Sequence, residues 1–536
     1  MSVPAGHRRL EADVAIVGSG FAGALTAMAL RKLGRSVVLL ERGRHPRFAI
    51  GESSTPLANL LLEQLCDRYG LDAVRPLARF GTWQRTYPEI GCGLKRGFSF
   101  YHHSDGRPFA DDARHGRQLL VAASPHDAIG DTHWYRPDVD AFLVRQAQQA
   151  GAAYLDETTV TRLEQRPERV RLEGTRPDRT VVVDAGFLID ASGPRGFLHR
   201  ALALDQAPLR WLPPTEALYA HFVEVDTWAD VRRDESGELP PYPVDAAALH
   251  HVFPGGWIWV LRFGNGIVSA GAAVTRELAA AVGLADGAAG WTRLLDRLPS
   301  VREQFSRATA VTPFTHWPQL AFRSARIVGP RWALLPSAAG VIDPLLSTGF
   351  PLTLLGIHRL VERLDRHWER PELAAALDEY AQHTSRELEA TERLVAALYA
   401  TMDDFELFKR LTLLYFAAAS FSEAARRLGR EPRGFLLRDD PVFGPEVDAC
   451  ASAALARPAG AARGRLMARI DRAIEPFDVA GLGDRDRRDW YPVLAGDLLQ
   501  AAGKLGATRR ELDDLLERCG FGPLVPPDPQ VEPLGL

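Results

Sequence analysis

The feature that most constrains this chain is an apolar run followed by a glycine turn, a helical segment and a second apolar run. Residues 12–17 (ADVAIV) predict a buried strand, and GSGFAG follows it directly. In such a turn Gly18 permits the tight bend, Gly20 lets the backbone approach a pyrophosphate, and Gly23 lets the helix pack closely on the strand. The positive end of the helix dipole then faces the phosphates. The sequence therefore predicts a Rossmann-like dinucleotide-binding unit.

An acidic residue at the end of the second apolar run supports the same unit. SVVLLE places Glu41 about 20 residues after the glycines, where a carboxylate can accept hydrogen bonds from ribose hydroxyls. An accidental glycine-rich turn is the alternative, and this spacing disfavours it. The turn residues, Ala22 among them, predict a bound dinucleotide without separating NAD from FAD.

The rest of the chain predicts an α/β fold with a discontinuous cofactor domain. RPDVDAFLVRQAQQAGAAYLD is typical of a helix followed by a strand, and VVVDAGFLIDASG of a hairpin that ends in a glycine turn. Short alternating strands follow, and then a second strand, turn and helix. We expect the cofactor domain in residues 1–205 and 311–368, an antiparallel-sheet substrate domain in 206–310, and a helical C-terminal region in 369–536.

Composition excludes several classes of partner. The net charge of -4 gives no basic surface for nucleic acid or anionic lipid. No apolar run of about 18 residues predicts a membrane helix, so a soluble, cytoplasmic protein is expected. The four cysteines are scattered, and adjacent histidines on a strand face opposite sides, so no metal site is predicted. We expect the pairs His102–His103 and His250–His251 at a pocket wall or a surface.

Four further motifs separate FAD from NAD. GESSTP at 51–56, RPDVD at 136–140, DASG at 190–193 and SAAGVIDPLLSTG at 337–349 together resemble flavoproteins of the hydroxybenzoate hydroxylase type, and within them the flavin-dependent halogenases. The resemblance spreads over most of residues 12–365 and includes LYFAAASFSEAARR near residue 420. It implies FAD as the cofactor, a role in secondary metabolism such as antibiotic biosynthesis, and cofactor contacts from Glu52, Ser53, Arg136, Ser337, Asp343 and Gly349.

The resemblance also implies a reaction and a catalytic lysine. A halogenase of this family forms a flavin hydroperoxide from reduced FAD and O2, lets halide attack it, and passes hypohalous acid to a lysine beside the substrate. Lys95, one of only four lysines, stands in GLKRGFSF where the halogenases have that lysine. Its ammonium can hydrogen-bond hypohalous acid, or its neutral amine can form a haloamine. A surface lysine beside Arg96 is the alternative.

Two further segments match the halogenase pattern. Thr348 and Gly349 in LLSTGFPLTLLG precede a helix, whose unpaired N–H groups can hold a halide or a reduced flavin, and the resemblance favours halide. Trp257 and Trp259 in GGWIWVLRF share one face of a strand. In halogenases such a pair is taken to keep the substrate from the flavin, which suppresses monooxygenation. Ordinary core packing is the alternative.

The chain also departs from the family pattern at several positions. Pro336 and Ser337 replace the usual Gly and Asp of the cofactor site, which puts cofactor affinity in question. Leu261 and Arg262 stand where Ile and Pro follow the tryptophans. Leu346 replaces the glutamate of the tryptophan halogenases, so phenols, pyrroles and similar activated rings are better substrate candidates than free tryptophan.

The leading hypothesis is therefore an FAD-dependent halogenase that chlorinates or brominates an electron-rich aromatic substrate, either free or tethered to a carrier protein. A separate flavin reductase would feed it, because no second nicotinamide fingerprint is visible. A flavin monooxygenase or dehydrogenase without halide chemistry is the main alternative. A flavin-binding protein without turnover is the third.

Overall fold

A parallel β-sheet forms the centre of the cofactor domain. The structure, a computed structural model, describes residues 6–232 and 237–521. From one edge to the other, the sheet runs Val328–Gly329, Trp332–Leu334, Arg179–Asp190, Gly6–Val17, Val37–Leu40 and Ala153–Leu155. Its pairings are parallel except at the first strand, and the hairpin Thr159–Gln165 with Val170–Thr175 extends Arg179–Asp190. The carboxyl ends of the parallel strands therefore meet at one edge, where α/β proteins bind their ligands.

Helices cover this sheet because their apolar faces need burial. The helix after the glycine turn, Phe21–Lys32, is buried from Phe21 to Leu30. The other helices of the layer are Pro56–Tyr69, Arg136–Gln149 and Gly349–His367. This arrangement confirms the expected α/β class.

The hairpin expected over VVVDAGFLIDASG is wrong, because Arg179–Asp190 is one continuous strand. It pairs in parallel with Gly6–Val17 from its first residue to its last. Gly186 lies in the middle, and a Cβ there would come 3.0 Å from the carbonyl oxygen of Asp13. The glycine therefore reflects close packing rather than a turn.

A second, largely antiparallel sheet lies beside the first. Its strands run in the order Thr309–Ala310, Thr215–Val223, Val268–Thr275, Gly256–Arg262, Ala248–Phe253, Gly97–His102, Gln118–Ala122 and Trp490–Tyr491, with Thr315–Trp317 also paired to Thr215–Val223. The sheet thus draws strands from segments before residue 206 and after residue 310. One face packs into the main core and the other into a separate core.

A two-stranded ribbon connects the two sheets. Cys92–Lys95 pairs with Asp131–Trp134 in antiparallel register. A Cβ at Gly93 would lie 1.8 Å from the carbonyl oxygen of Arg262, so only glycine permits this approach. Gly264 N donates to Cys92 O over 2.8 Å. The strand that carries Lys95 is thereby fixed against the substrate sheet.

The C-terminal region is mainly helical, as expected, and packs over both sheets. Its helices are Leu373–Ala400, Phe405–Arg427, Phe443–Leu455, Gly460–Ile474, Ala495–Gln500, Ala502–Leu505 and Arg509–Arg518. Shorter helices elsewhere are Phe80–Thr86, Phe197–Ala201, Trp228–Arg232, Arg276–Val282, Ala288–Asp296, Pro299–Gln304 and Pro336–Ala339, and a small sheet joins Gln206–Ala207, Phe322–Ser324 and Gly340–Val341. Within residues 6–232 and 237–521, no helix combines the length and apolarity needed to cross a membrane.

Candidate active site

The glycine turn lies where the parallel strands end. Gly18 has φ = 101°, and a Cβ there would lie 2.5 Å from the carbonyl oxygen of Ala191. A Cβ at Gly23 would lie 1.9 Å from the carbonyl oxygen of Gly18. Gly20 caps the helix without a side-chain hydrogen bond, and Ala22 is buried in its first turn. The turn therefore leaves backbone N–H groups at a helix start, as pyrophosphate binding needs.

Glu41 follows the strand Val37–Leu40 directly and contacts the same turn. Its Oε2 accepts from Ser19 N over 3.1 Å and from Ser19 Oγ over 2.9 Å, and its Oε1 accepts from Gly43 N over 3.0 Å. Burial alone would raise the pKa of Glu41, but Arg47 and these donors hold that pKa below its usual value. The carboxylate is thus charged, and suited to accept from ribose hydroxyls.

Arg136 connects its own helix to the start of the GESSTP segment. Its guanidinium binds the Asp140 carboxylate through Nε and Nη2, over 2.9 and 2.8 Å. Its Nη1 donates to the carbonyl oxygens of Ile50 and Gly51. A Cβ at Gly20 would lie 3.2 Å from Nη2, so Arg136 also supports the glycine turn.

Glu52 and Ser53 point in different directions from the GESSTP segment. Glu52 is buried, and its Oε1 lies 2.6 Å from Nε2 of His221 on the substrate sheet. Its Oε2 has no hydrogen-bond partner among the described residues. The Ser53 hydroxyl instead accepts from Lys95 Nζ over 3.0 Å.

Ser337 and Asp343 belong to the return segment, the second part of the cofactor domain (residues 311–368). They lie at the cofactor edge, where the parallel strands end, on the far side from the glycine turn. Ser337 is partly exposed in the short helix Pro336–Ala339, which follows the strand Trp332–Leu334. Asp343 is buried, and accepts from Leu345 N over 2.9 Å and from Tyr399 Oη over 2.8 Å. Burial raises the pKa of Asp343 to about 7 despite these donors. Asp343 therefore shapes the turn that leads to Thr348.

The turn before the helix Gly349–His367 is strained and open on one side. Ser347 has φ = 52°, which is uncommon for a residue with a side chain. Thr348 is buried at the N-cap position. Gly349 is exposed, and a Cβ there would meet no atom within 4 Å. Space therefore exists at the positive end of a long helix, which suits an anion.

Trp257 and Trp259 lie on one face of their strand, as expected. Their ring centroids are 5.6 Å apart, and both side chains are buried in the main core. A Cβ at Gly271 would lie 2.4 Å from Cζ2 of Trp259, so the glycine makes room for this indole. Arg262 stands where the family pattern has proline. Its Nε donates to Asp245 Oδ1 over 3.0 Å.

Lys95 is fully buried rather than on the surface. Its Nζ donates to Ser53 Oγ over 3.0 Å and to the carbonyl oxygen of Ser54 over 2.6 Å, and lies 3.8 Å from the ring centroid of Phe98. Burial lowers the pKa of the ammonium to about 7, although the Asp131 carboxylate opposes this shift. An amine that is partly neutral near physiological pH is chemically reactive.

A cavity of about 210 Å³ is lined by Phe98 and Asp131, two neighbours of Lys95. Its wall includes Phe98 and Asp131 from the sheet side and Pro351 from the helix that follows Thr348. The C-terminal helices form the opposite wall, with Tyr415 and Phe416 from Phe405–Arg427 and Leu515 from Arg509–Arg518. Lys95 contacts the Phe98 ring of this wall but is not itself one of the lining side chains. The cavity is mostly apolar, which suits an aromatic molecule.

Asp131 and Asn59 could not be recognised as site residues from the sequence. Asp131 is buried opposite Lys95, and its Oδ1 accepts from Asn59 Nδ2 over 2.7 Å. No motif surrounds either residue. The register of the ribbon brings Asp131 opposite Lys95, and the helix Pro56–Tyr69 carries Asn59 to Asp131. The histidine pairs were expected at a pocket wall or a surface. His103, His250 and His251 are instead buried in the protein interior. Among the described residues, no group of three or more metal-binding side chains is placed to hold an ion.

The residues at the cofactor edge fit FAD. A side chain at Gly18 or Gly23 would collide with backbone, so these positions keep the turn bare for a pyrophosphate. The charged Glu41 lies beside the turn, and the open helix start at Gly349 lies on the return segment. Pro336 and Ser337 carry no charge, so they offer the cofactor no ionic contact on the return segment.

Known families match most of the chain. The profile of the family described as FAD dependent oxidoreductase matches residues 13–350. Monodechloroaminopyrrolnitrin halogenase of Pseudomonas fluorescens is 30% identical over 403 residues, which cover 74% of this chain and 69% of that protein. Tetracycline 7-halogenase of Kitasatospora aureofaciens is 29% identical over 418 residues, which cover 76% of this chain and 73% of that protein.

A solved structure shares the fold over nearly the whole length. The crystal structure of halogenase PltM in complex with phloroglucinol and FAD superposes with a TM-score of 0.78 at 24% identity. The match covers 89% of this chain and 99% of that one.

Proposed function

Because this chain is an FAD-dependent oxidoreductase of the flavin-dependent halogenase family, we propose that Lys95 presents the halogen to an electron-rich aromatic ring in the adjacent cavity. Reduced FAD, with O2 and a halide, supplies hypohalous acid in this family. The observation that carries the proposal is the burial of Lys95 against the wall of a largely apolar cavity.

Lys95 is suited to hold hypohalous acid. An ammonium has three N–H donors, and two of them point to Ser53 and the Ser54 carbonyl. The remaining donor is available to the oxygen of hypohalous acid, while the two fixed bonds restrict where Nζ can move. Ser53, whose hydroxyl faces Lys95, would act by positioning the lysine as well as by contacting FAD.

The halide would bind at the turn formed by Thr348 and Gly349. The exposed Gly349 and the positive helix end support this assignment. FAD would be held by Gly18, Gly20, Ala22, Gly23 and Glu41, with Arg136 and Glu52 ordering the adjoining segment. Ser337, Asp343 and Gly349 would contact FAD from the return segment.

Trp257 and Trp259 would keep the aromatic substrate away from the flavin. Both indoles fill the core on the face of the substrate sheet that packs into the cofactor domain. A substrate separated from the flavin can be halogenated by hypohalous acid but cannot be oxygenated directly. This separation favours halogenation over hydroxylation.

We propose phenols, pyrroles and indoles as the substrate classes, and a separate flavin reductase as the source of reduced FAD. Leu346, which is buried, provides no carboxylate at the position where tryptophan halogenases have one. Rings activated by their own heteroatom need less help of that kind. The single glycine fingerprint of the sequence is used by FAD, which leaves reduction to a partner enzyme.

The test is turnover with reduced FAD, O2, bromide and a panel of phenols, pyrroles and indoles. We expect a brominated product from the wild type and at least a hundredfold lower rate from Lys95→Met. Lys32→Met, on the exposed end of a helix, is the matched control and should keep the wild-type rate. An oxygenated product whose yield does not depend on bromide would overturn the proposal in favour of a monooxygenase.

A further inference from the structure

The carboxylate of Asp131 is the feature of this cavity that halogen delivery by Lys95 leaves unexplained. Asp131 is 3% exposed and lies on the strand that pairs with that of Lys95. Directly opposed residues of an antiparallel pair project to the same side, so both side chains reach the same region. Asp131 also forms part of the cavity wall.

One oxygen of the Asp131 carboxylate accepts a hydrogen bond, and the other does not. Oδ1 accepts from Asn59 Nδ2 over 2.7 Å. Oδ2 is buried and has no hydrogen-bond partner among the residues that the structure describes. A buried acceptor without a donor is costly, and a carboxylate more so than a neutral group. A ligand that brings an O–H or N–H into the cavity would remove that cost.

We propose that Asp131 is a further catalytic residue, whose Oδ2 accepts the O–H or N–H of the group that activates the aromatic ring. The inference rests on the proposed function, since it needs hypohalous acid beside Lys95. It narrows the substrate to rings that carry a free hydroxyl or amino hydrogen, such as phenols, anilines and pyrroles. A methyl ether of the same ring would lack the required donor.

Asp131 and Lys95 together account for every proton transferred when hypohalous acid halogenates a phenol. Asp131 takes the phenol proton, and the oxygen electron pair moves into the ring. The ring carbon bonds to the halogen, the O–X bond of hypohalous acid breaks, and the departing hydroxide takes a proton from the Lys95 ammonium to become water. The proton on the substituted carbon then leaves to the Lys95 amine, and Asp131 returns its proton to the phenol oxygen. Phenol and hypohalous acid give halophenol and water.

Tyr415 lies near Asp131 and contacts the segment that leads to the proposed halide turn. Its hydroxyl donates to the carbonyl oxygen of Leu346 over 2.8 Å, and its ring lines the cavity with Asp131. The pKa of Tyr415 is raised, first by burial and then by the negative charge of Asp131. The cavity wall therefore carries a carboxylate on the ribbon, and none at position 346. Glu63 and Glu423 also line the cavity, but both are paired with arginines.

The experiment compares phenols and anilines with their O-methyl or N,N-dimethyl forms, for example resorcinol with 1,3-dimethoxybenzene. Reduced FAD, O2 and bromide are supplied, and kcat/KM is measured for each member of a pair. We expect Asp131→Asn to lower the ratio of phenol to ether kcat/KM at least tenfold, and Asp131→Glu to restore part of it. Asp178→Asn, on an exposed turn, is the matched control and should keep the wild-type ratio.

Two results would overturn this inference without touching the proposed function. If Asp131→Asn lowers kcat/KM equally for both members of a pair, the ratio does not change. Asp131 would then have a structural role alone. A wild type that forms hypohalous acid, trapped by a β-diketone, but halogenates the O-methyl and N,N-dimethyl forms as fast as the parent phenols and anilines would also exclude it. A wild type that forms no hypohalous acid contradicts the proposed function itself.

Discussion

Lys95 and Asp131 face each other across a two-stranded antiparallel ribbon, and both are buried. Burial lowers the pKa of Lys95 to about 7 and raises the pKa of Asp131 to about 8, while the charge of each opposes the shift of the other. Each group is thus pushed toward its neutral form and partly held in its charged form by its neighbour. The charge state of each group therefore depends on that of the other.

The first prediction concerns this coupling. Removing the carboxylate in Asp131→Asn removes the charge that favours the ammonium, so the pKa of Lys95 should fall below its wild-type value. NMR of protein labelled with 13C at lysine Cε would measure it, because only four lysines contribute signals. The Lys95 signal is the one absent from Lys95→Met. An unchanged or higher pKa in Asp131→Asn would contradict the coupling.

The second prediction concerns the cofactor edge. Glu41→Gln removes a charged acceptor while keeping the shape of the side chain, so FAD should bind about tenfold more weakly, or about 1.4 kcal/mol. Quenching of FAD fluorescence on titration measures the Kd. Glu11→Gln, on the exposed part of the first strand, is the control and should bind like the wild type. Equal affinity in Glu41→Gln would show that this carboxylate does not contact the ribose.

The third prediction concerns the turn at Gly349. Because a Cβ there meets no atom within 4 Å, Gly349→Ala should leave the free energy of unfolding nearly unchanged. The added methyl group would project into the space assigned to halide, so we expect KM for bromide to rise about tenfold, or about 1.4 kcal/mol. Steady-state rates over a bromide series measure this. A changed FAD affinity with an unchanged KM for bromide would instead assign the turn to the flavin alone.

The cofactor edge could be predicted from the sequence because its signal is local. The glycines of GSGFAG are required by contacts with the adjoining turn and strand, as at Gly18 against Ala191. Glu41 lies where the spacing placed it, directly after Val37–Leu40. The motif singled out Lys95, and its burial excludes the alternative of a surface lysine, while its catalytic role stays a prediction.

The cavity could not be predicted because its parts come from distant segments. Asp131 lies opposite Lys95 through strand register, and Tyr415 reaches the cavity wall through the packing of a C-terminal helix. The strand Arg179–Asp190 was misjudged because Gly186 suggests a turn, whereas its actual role is close packing on Asp13. Sequence patterns report local geometry well and long-range register poorly.

The fourth prediction concerns the buried histidines of the substrate sheet. Gln304 Oε1 can only accept, so His251 donates to it from Nε2 over 2.9 Å, and His251 Nδ1 accepts from His103 Nε2 over 2.9 Å. Burial lowers the pKa of His251 to about 3. Since the folded pKa lies below the unfolded value, the stability from this group is complete above pH about 6.5 and is lost as pH falls toward about 3.

His251→Gln keeps both hydrogen bonds but does not titrate. The free energy of unfolding of the wild type, minus that of His251→Gln, should therefore fall by about 2 kcal/mol between pH 7 and pH 5. Urea unfolding at the two pH values measures this difference. Gln148→Asn, an exposed substitution that changes no titrating group, is the control, and its difference from the wild type should stay nearly constant. A difference for His251→Gln that is also constant would mean that His251 is solvated.

The last prediction concerns the space that Gly271 leaves for Trp259. A Cβ at Gly271 would lie 2.4 Å from Cζ2 of Trp259 and 2.4 Å from Cβ of Tyr219, and neither contact lies at the end of a flexible chain. We expect Gly271→Ala to destabilise the protein by about 1–3 kcal/mol through overpacking. Gly464→Ala, in an exposed helix interior where a Cβ meets nothing, should instead stabilise it by about 0.5–1 kcal/mol. Urea unfolding of both variants at one pH measures the contrast. If Gly271→Ala is as stable as the wild type, the indole of Trp259 is free to move, and the tryptophan pair cannot act as a fixed barrier between substrate and flavin.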